Sequence, residues 1–305
     1  MQRCPEPAAW TTAAIERSQR RAISRAASMG RRLLLGHSPG TVDGALLYAL
    51  ATGRLDTGDL DYEHELSDLE TLNVRVLAGD LDVSAMSIHA YGRAWEDYVL
   101  LPRGIKMGEP GGPTVVAYEP LNPSDLAGRV VALPGRFTSE HLALRLFESD
   151  VTARFVRFDE VVSYVRDGFA DAGVLVPEVR YSSAVTDLHL VVDLGEWWRQ
   201  RTGLPLPLGG YVAWRGLGGE LTMRVCEHLK SSIEYALSHP AEALAHLYPS
   251  AADPVGDAPA FVRASLSGRA LDPGDDGREA VKEFLHCGYR AGLIRKRPEV
   301  NFFEY

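Results

Sequence analysis

The chain has 305 residues, 46% of them hydrophobic and 24% charged, with a formal net charge of −9. That length admits two domains of about 150 residues each, and the acidic balance argues against nonspecific nucleic-acid binding by the chain as a whole. Three cysteines, Cys4, Cys226 and Cys287, form no CxxC pair or disulfide framework, which suits a reducing, cytoplasmic compartment, and no apolar run reaches the ~18 residues that a membrane span needs.

The first 32 residues differ from the rest. They carry seven arginines against Glu6 and Glu16, a block of +5 that leaves −14 for the remainder. They lack the apolar core of a secretory signal. They read as a basic extension, disordered or partly helical, with a polyanion-binding arm as the functional alternative. Met29 stands just before the first apolar run, so the natural start is expected near it.

Leu33 to Gly36 reads as a buried strand. His37-Ser38-Pro39-Gly40 follows, and then a helix from Asp43 to Ala51. Such a loop can aim backbone N–H groups and the hydroxyls of Ser38 and Thr41 at an anion. Leu60 to Leu66 alternates as a strand, and Asp68 can cap the helix LETLNVRVLAG. Leu81 to Met86 begins another strand, with Ser87, Ile88 and His89 at its end, where parallel α/β sheets place ligands. Strand alternation would put Ser87 and His89 on one face. Residues 109–113 (EPGGP) form a loop, and Thr114 to Tyr118 is the expected first crossing between two lobes.

The stretch beyond repeats the α/β pattern. Arg129 to Leu133, Arg154 to Phe158, Gly173 to Val176 and Leu188 to Asp193 read as strands. Helices are expected over Glu140 to Glu148 and Glu160 to Asp167. Thr138 or Ser139 is a natural cap for the first helix, and the same hydroxyls and N–H groups suit a carboxylate ligand. Pro177-Glu178-Val179-Arg180-Tyr181 lies at the end of the third strand.

Asp193 to Trp214 (DLGEWWRQRTGLPLPLGGYVAW) organises the chain. A short charged and aromatic helix closes at Gly203. Pro205 and Pro207 forbid its continuation. Gly209-Gly210 permits a turn or a close approach, and Tyr211 to Trp214 reads as a strand. This pattern suits a return crossing. Helices then follow over Glu220 to Leu237, from Pro240, from Pro259, and after Asp276-Gly277-Arg278-Glu279, which is shaped like a capping box. Cys226, His228, His286 and Cys287 lie on these helices with no metal-ligand spacing. The sequence holds no repeat, and no heptad or apolar stripe that would fix an oligomeric state.

An α/β lobe interrupted by a second one, with two crossover strands and C-terminal helices, resembles the two-lobed periplasmic-binding-protein type II-like fold. The implied lobes are 33–115 with 210–305, and 116–209. More specifically, LGHSPGTVDGALLYAL, SDLETLNVRVLAGDLDVSAMSIHAYG, PGRFTSEHLALRLF, DAGVLVPEVRY and DLGEWWRQRTGLPLPLGG resemble, in this order, the 1,4-dihydroxy-6-naphthoate synthase family. The resemblance runs from about Leu33 to Leu293. It implies a cytosolic lyase of the futalosine route to menaquinone, with its substrate in the interlobe cleft. The family reaction breaks cyclic dehypoxanthinyl futalosine into dihydroxynaphthoate and a sugar-derived fragment, without metal or organic cofactor.

The family's binding residues transfer unevenly. Its SPCPND reads Ser38-Pro39-Gly40-Thr41-Val42-Asp43, so Ser38, Pro39 and Asp43 match. Its serine after a first-lobe strand matches Ser87. Its Thr-Thr at a second-lobe helix start matches Thr138-Ser139, the expected site of a substrate carboxylate. Its HESRF, whose His is the proposed general base, reads Pro177-Glu178-Val179-Arg180-Tyr181. Proline offers no proton acceptor, and a general base contributes about 10² to 10⁴-fold. Candidates for a replacement base are His89, His141 and Glu178, with Arg180 retained for binding. The sequence therefore reads as a diverged lyase acting on a small carboxylated, aromatic or nucleoside-derived substrate. The alternatives are an unaltered menaquinone-pathway enzyme with a relocated base, a non-catalytic cytosolic binding protein, or an enzyme of specialised metabolism.

Overall fold

The computed structural model describes residues 31–39, 42–108, 111–180, 185–247, 262 and 268–304. Met29, Cys4, the rest of 1–30, and the helix start expected at Pro259 lie outside them.

Strand β1 (Arg31–His37) leads into two short helices, α1 (Val42–Leu46) and α2 (Tyr48–Ala51). One continuous helix was the expectation. The break has a cause: Ser232 Oγ donates to Leu46 O at 2.8 Å and accepts from Leu50 N at 3.2 Å. A hydroxyl thus stands where the helical bond between those two residues would run. Then come β2 (Leu60–Leu66), α3 (Leu69–Leu77), β3 (Val83–Ser87), α4 (Ile88–Ala94), β4 (Tyr98–Leu100) and β5 (Lys106–Met107). Asp68 caps α3 as expected, accepting from Thr71 N. His89, however, is the second residue of α4 and not a strand residue. Alternation with Ser87 therefore does not apply to it, because the chain changes from period two to period 3.6 between them.

The second sheet is built from β6 (Thr114–Ala117), β7 (Val130–Leu133), β8 (Thr152–Phe155), β9 (Ala172–Leu175) and β10 (His189–Asp193). Helices α5 (Ser139–Phe147), α6 (Val161–Arg166) and α7 (Pro177–Arg180) separate its strands. The chain then leaves through α8 (Leu194–Thr202) and returns as β11 (Pro207–Trp214). Helices α9 (Gly219–Ser238), α10 (Pro240–Leu247), α11 (Gly268–Leu271) and α12 (Gly274–Arg290) follow. Asp276 sits inside the first turn of α12 and pairs with Arg269 at 2.7 Å, so the DGRE stretch is not the cap its pattern suggested.

The first sheet runs β2-β1-β3-β11-β4, with β5 also paired to β11, and the second runs β10-β6-β9-β7-β8. Both are mixed: β1, β2 and β3 are parallel while β11 runs against β3. In the second sheet β7 is parallel to β8 and β9, and β6 opposes β9. Chain direction therefore brings His37, Leu66, Ser87 and the start of β11 to one end of the first sheet. It likewise brings Leu133, Leu175, Thr114 and Asp193 to one end of the second.

The DLGEWW stretch is the joint between the two. Asp193 caps α8, accepting from Gly195 N and Glu196 N at 2.9 Å each. A side chain at Gly195 would lie 2.8 Å from Gly112 Cα, and one at Gly112 would lie 2.5 Å from Gly195 Cα. Both crossings are thus in backbone contact, which only glycine allows. Trp198 is buried, edge-on to Phe284 of α12 at 5.3 Å. Trp197 packs on Phe147 of α5 at the same distance. Gly203 closes the helix with φ 75°. Of the two readings of Gly209-Gly210, the close approach holds and the turn does not: both are strand residues of β11, and a side chain at Gly209 would meet Met86 O at 3.0 Å while one at Gly210 would meet Ile105 Cδ1. Among the described residues, no helix is long and apolar enough to cross a membrane.

Candidate active site

At the first sheet's end, Ser38 follows β1 and Asp43 lies in α1, both buried. Asp43 receives the Lys106 ammonium at 2.9 and 2.7 Å on its two oxygens. It also accepts from the Tyr211 hydroxyl at 3.1 Å. Burial, then the Asp43 charge, pushes the Tyr211 phenol well above its ordinary range, so it stays a donor. His37 shares a contact with His64, Nε2 to Nδ1 at 3.0 Å. Burial, then the neighbouring His64, lowers the His37 pKa to about 4, which keeps the ring neutral.

Ser87 ends β3. Asn73 of α3 accepts from Ser87 N at 2.9 Å and donates to Ser87 Oγ at 3.0 Å. Those two bonds fix the amide's orientation. They also leave the serine proton available to a second acceptor. The same Nδ2 reaches Glu70 Oε2 at 3.4 Å. Glu70 in turn crosses to the second lobe. It accepts from Arg136 N at 2.7 Å and from Phe137 N at 3.1 and 3.0 Å. A side chain at Gly135 would meet its carboxyl at 2.5 Å. Burial raises the Glu70 pKa despite these bonds.

The start of α5 is committed to the same junction. Thr138 Oγ1 donates to Gly135 O at 3.0 Å and accepts from His141 N at 3.3 Å, a plain cap. Ser139 Oγ donates to Leu208 O at 2.6 Å and accepts from His89 N at 3.3 Å. His89 Nδ1 lies 3.1 Å from Thr138 O, and His141 Nδ1 lies 2.7 Å from Arg136 O. A carbonyl can only accept, so both Nδ1 atoms carry the proton and both Nε2 atoms hold a lone pair. The two rings stand 5.8 Å apart. His89 Nε2 is buried and meets no protein partner among the described residues. Burial, then His141, lowers the His89 pKa to about 3. Burial lowers that of the less enclosed His141 as well.

The structure therefore joins His89, His141, Thr138 and Ser139 in one cluster. Ser87 lies beside them through the start of α4, while Ser38 and Asp43 form a second group. Leu208-Gly209 links the groups, touching Ser139 on one side and Lys106 on the other. Pro177, Glu178 and Arg180 belong to α7 at the end of β9. The Glu178 and Arg180 side chains, like Thr41 and Tyr181 altogether, lie outside the described residues. Thr114, paired with Leu175 and Asp193, buries a hydroxyl without a partner among the described residues. Sequence reasoning missed Lys106, Tyr211, Glu70 and Asn73. Lys106 alone lay in no quoted stretch, and none of the four carries a local signal of contact across the fold. Among the described residues no cluster of His, Cys, Asp and Glu could hold a metal ion.

Two mixed sheets, a double crossing in backbone contact and polar groups gathered at facing strand ends define a protein of the two-lobed, periplasmic-binding-protein type. The alkanesulfonate-binding protein SsuA from Xanthomonas axonopodis pv. citri, solved bound to MOPS, superposes with a TM-score of 0.66 at 15% identity, covering 90% of this chain and 98% of that one. That likeness shows the fold alone. An Archaeoglobus fulgidus crystal structure superposes with a TM-score of 0.80 at 31% identity, covering 86% and 98%. The chain belongs to the menaquinone biosynthesis family, whose sequence profile matches residues 33–290. A Thermus thermophilus relative named 1,4-dihydroxy-6-naphthoate synthase is 37% identical over 271 residues, 88% of this chain and 98% of that protein. A Streptomyces coelicolor relative of the same name is 31% identical over 270 residues, 86% and 94%.

Proposed function

We propose that the chain is a cofactor-independent lyase that cleaves cyclic dehypoxanthinyl futalosine to 1,4-dihydroxy-6-naphthoate, with its base at the lobe junction and not at position 177. The observation that carries this reading is the His89–His141 pair. Both rings are neutral, both tautomers are fixed by backbone carbonyls, and both keep an Nε2 lone pair. His141 is the more exposed ring and the one suited to meet substrate; His89 lies behind it. Ser38 and Ser87 bind on the first-lobe side, with Asp43 holding that side in shape, and closure excludes water. Incubation with cyclic dehypoxanthinyl futalosine, following dihydroxynaphthoate by mass spectrometry, tests the reading. His141→Ala is expected to lose about 10² to 10⁴-fold in kcat. If His89→Ala and His141→Ala both retain turnover within a few-fold, the relocated base is wrong.

A second reading keeps the lyase and changes the substrate. It is favoured by the two altered motifs, Gly40-Thr41-Val42 and Pro177. Wild-type protein that melts cooperatively but gives no dihydroxynaphthoate would favour it, or a binding role. Pro177→His tests the cleft itself: a gain in dihydroxynaphthoate synthesis means that it is otherwise unchanged, and no gain means that it has been rebuilt.

A further inference from the structure

Gly209 of β11 is paired with Ser87 of β3 on one side and with Lys106 of β5 on the other. Directly paired residues of antiparallel strands share a face of the sheet. The three therefore form a row at the cleft end of the first sheet, with a bare position in the middle. A side chain at Gly209 would lie 3.1 Å from Lys106 Cε and 3.6 Å from Nζ, so the lysine stem lies over the glycine. Asp43 holds the ammonium there through both carboxylate oxygens, and Tyr211 holds Asp43. Lys106 is the more exposed partner, 18% against 2% for Asp43. Two bonds to one carboxylate leave an ammonium proton for another acceptor. Across the row, Asn73 donates to the Ser87 hydroxyl oxygen and accepts from the Ser87 backbone N–H, which orients the serine and leaves its hydroxyl proton to be given.

We propose that Lys106 and Ser87, on either side of Gly209, form a two-donor site for one substrate oxygen, the carbonyl oxygen next to the carbon that loses a proton. The inference rests on the lyase reading and deepens it. In the step concerned, an imidazole Nε2 takes the C–H proton. The C–H electron pair forms a carbon–carbon double bond, and the carbonyl π pair moves onto oxygen. The oxyanion so formed is received by the ammonium and the hydroxyl. Donors fixed before reaction cost no reorganisation when the charge appears, and losing one costs about 10² to 10³-fold in kcat. Asp43 is a positioning residue here: it aims the ammonium and does not touch substrate.

The test uses full-length protein with cyclic dehypoxanthinyl futalosine. Lys106→Met is expected to lower kcat about 10²-fold or more with KM changed less than about threefold. Lys106→Met leaves Asp43 buried without a counter-ion and held only by Tyr211, so Lys106→Met with Asp43→Asn serves as the neutral control for folding; it should melt cooperatively and stay as impaired. Ethylamine added to Lys106→Ala should restore at least a tenfold part of the lost kcat. Full activity of the folded double variant, or a rise in KM with kcat unchanged, would overturn the proposal. Wild-type turnover decides the lyase reading separately. If the wild type proves inactive, binding of 1,4-dihydroxy-6-naphthoate decides the oxygen site: at least tenfold weaker binding by the double variant supports it, and equal binding ends it.

Discussion

The first-lobe end of the cleft and the α5 turn facing it use similar groups to opposite effect. On the first-lobe side a buried carboxylate, Asp43, gathers Lys106 and Tyr211 and so keeps a cation at the strand ends. On the other side the start of α5 is the kind of place where anions bind, but the protein's own Glu70 takes the N–H groups of Arg136 and Phe137 leading into it. The Thr138 and Ser139 hydroxyl protons go to Gly135 and Leu208. On this side the side-chain hydroxyls and the amides leading into the helix are thus already committed, whereas Lys106 on the first-lobe side keeps an ammonium proton to give. Glu70 takes the place an anion would have against the amides of Arg136 and Phe137.

The largest effect should come from the first-lobe group. Asp43→Ala leaves a mostly buried ammonium and a buried phenol without their acceptor. Breaking a buried pair costs about 3 to 5 kcal/mol, and the low end applies because Lys106 keeps some solvent. Urea unfolding measures it; a loss below about 1 kcal/mol would make this pair no different from a surface contact. Next comes the joint that sets how the two sides meet. Gly195→Ala forces a side chain against the Gly112 backbone at 2.8 Å. Neither backbone can give way cheaply, so about 2 to 3 kcal/mol is expected.

Glu70→Ala sharpens the contrast directly. It strips the acceptor from the Arg136 and Phe137 amides at the cost of about 1 to 2 kcal/mol. Unlike the other two changes, it should act mainly on lobe closure. Small-angle scattering should show a larger radius of gyration than for the wild type. An unchanged radius together with an unchanged urea midpoint would mean that Glu70 merely fills space.

The fold was legible because its punctuation is local. Asp68, Asp193 and Gly203 act where their chemistry says, and β2 has the bounds its alternation implies. The errors arose where a distant residue intervenes. Ser232 splits α1 from α2 from 186 residues away, and Arg269 draws Asp276 out of its cap role. Of the two readings the Gly209-Gly210 pair allowed, a turn or a close approach, the second holds, because Met86 O and Lys106 crowd Gly209, and no local residue could name those neighbours. The site was half legible for the same reason. Asp43 stood in a motif, whereas Lys106 lies 63 residues further on, in a segment without periodicity. Nothing local to either predicts their meeting.

The smallest effect at neutral pH, and the most discriminating in acid, concerns two buried imidazoles, one at the end of β1 and one in α4 at the junction. His37 faces His64 and Asp43; His89 faces His141 and Arg93. Both folded-state pKa values are depressed, from 6.5 to about 4 and about 3. Between those values and 6.5 the unfolded chain holds protons that the folded rings refuse, so stability falls as pH drops through this window. Each ring adds a slope of up to about 1.4 kcal/mol per pH unit. His37→Gln and His89→Gln should each flatten the acid limb of a stability-against-pH curve while leaving its neutral plateau near the wild-type level. The His89 contribution should persist to lower pH, because its ring is the more enclosed. Beyond burial, His64 lowers the His37 pKa more than Asp43 raises it, and His141 and Arg93 both lower that of His89. The charge effect is thus downward on both rings, and added salt should weaken it and make both acid limbs shallower, modestly because buried charges are little screened. Limbs unmoved by salt would mean that burial alone sets both rings.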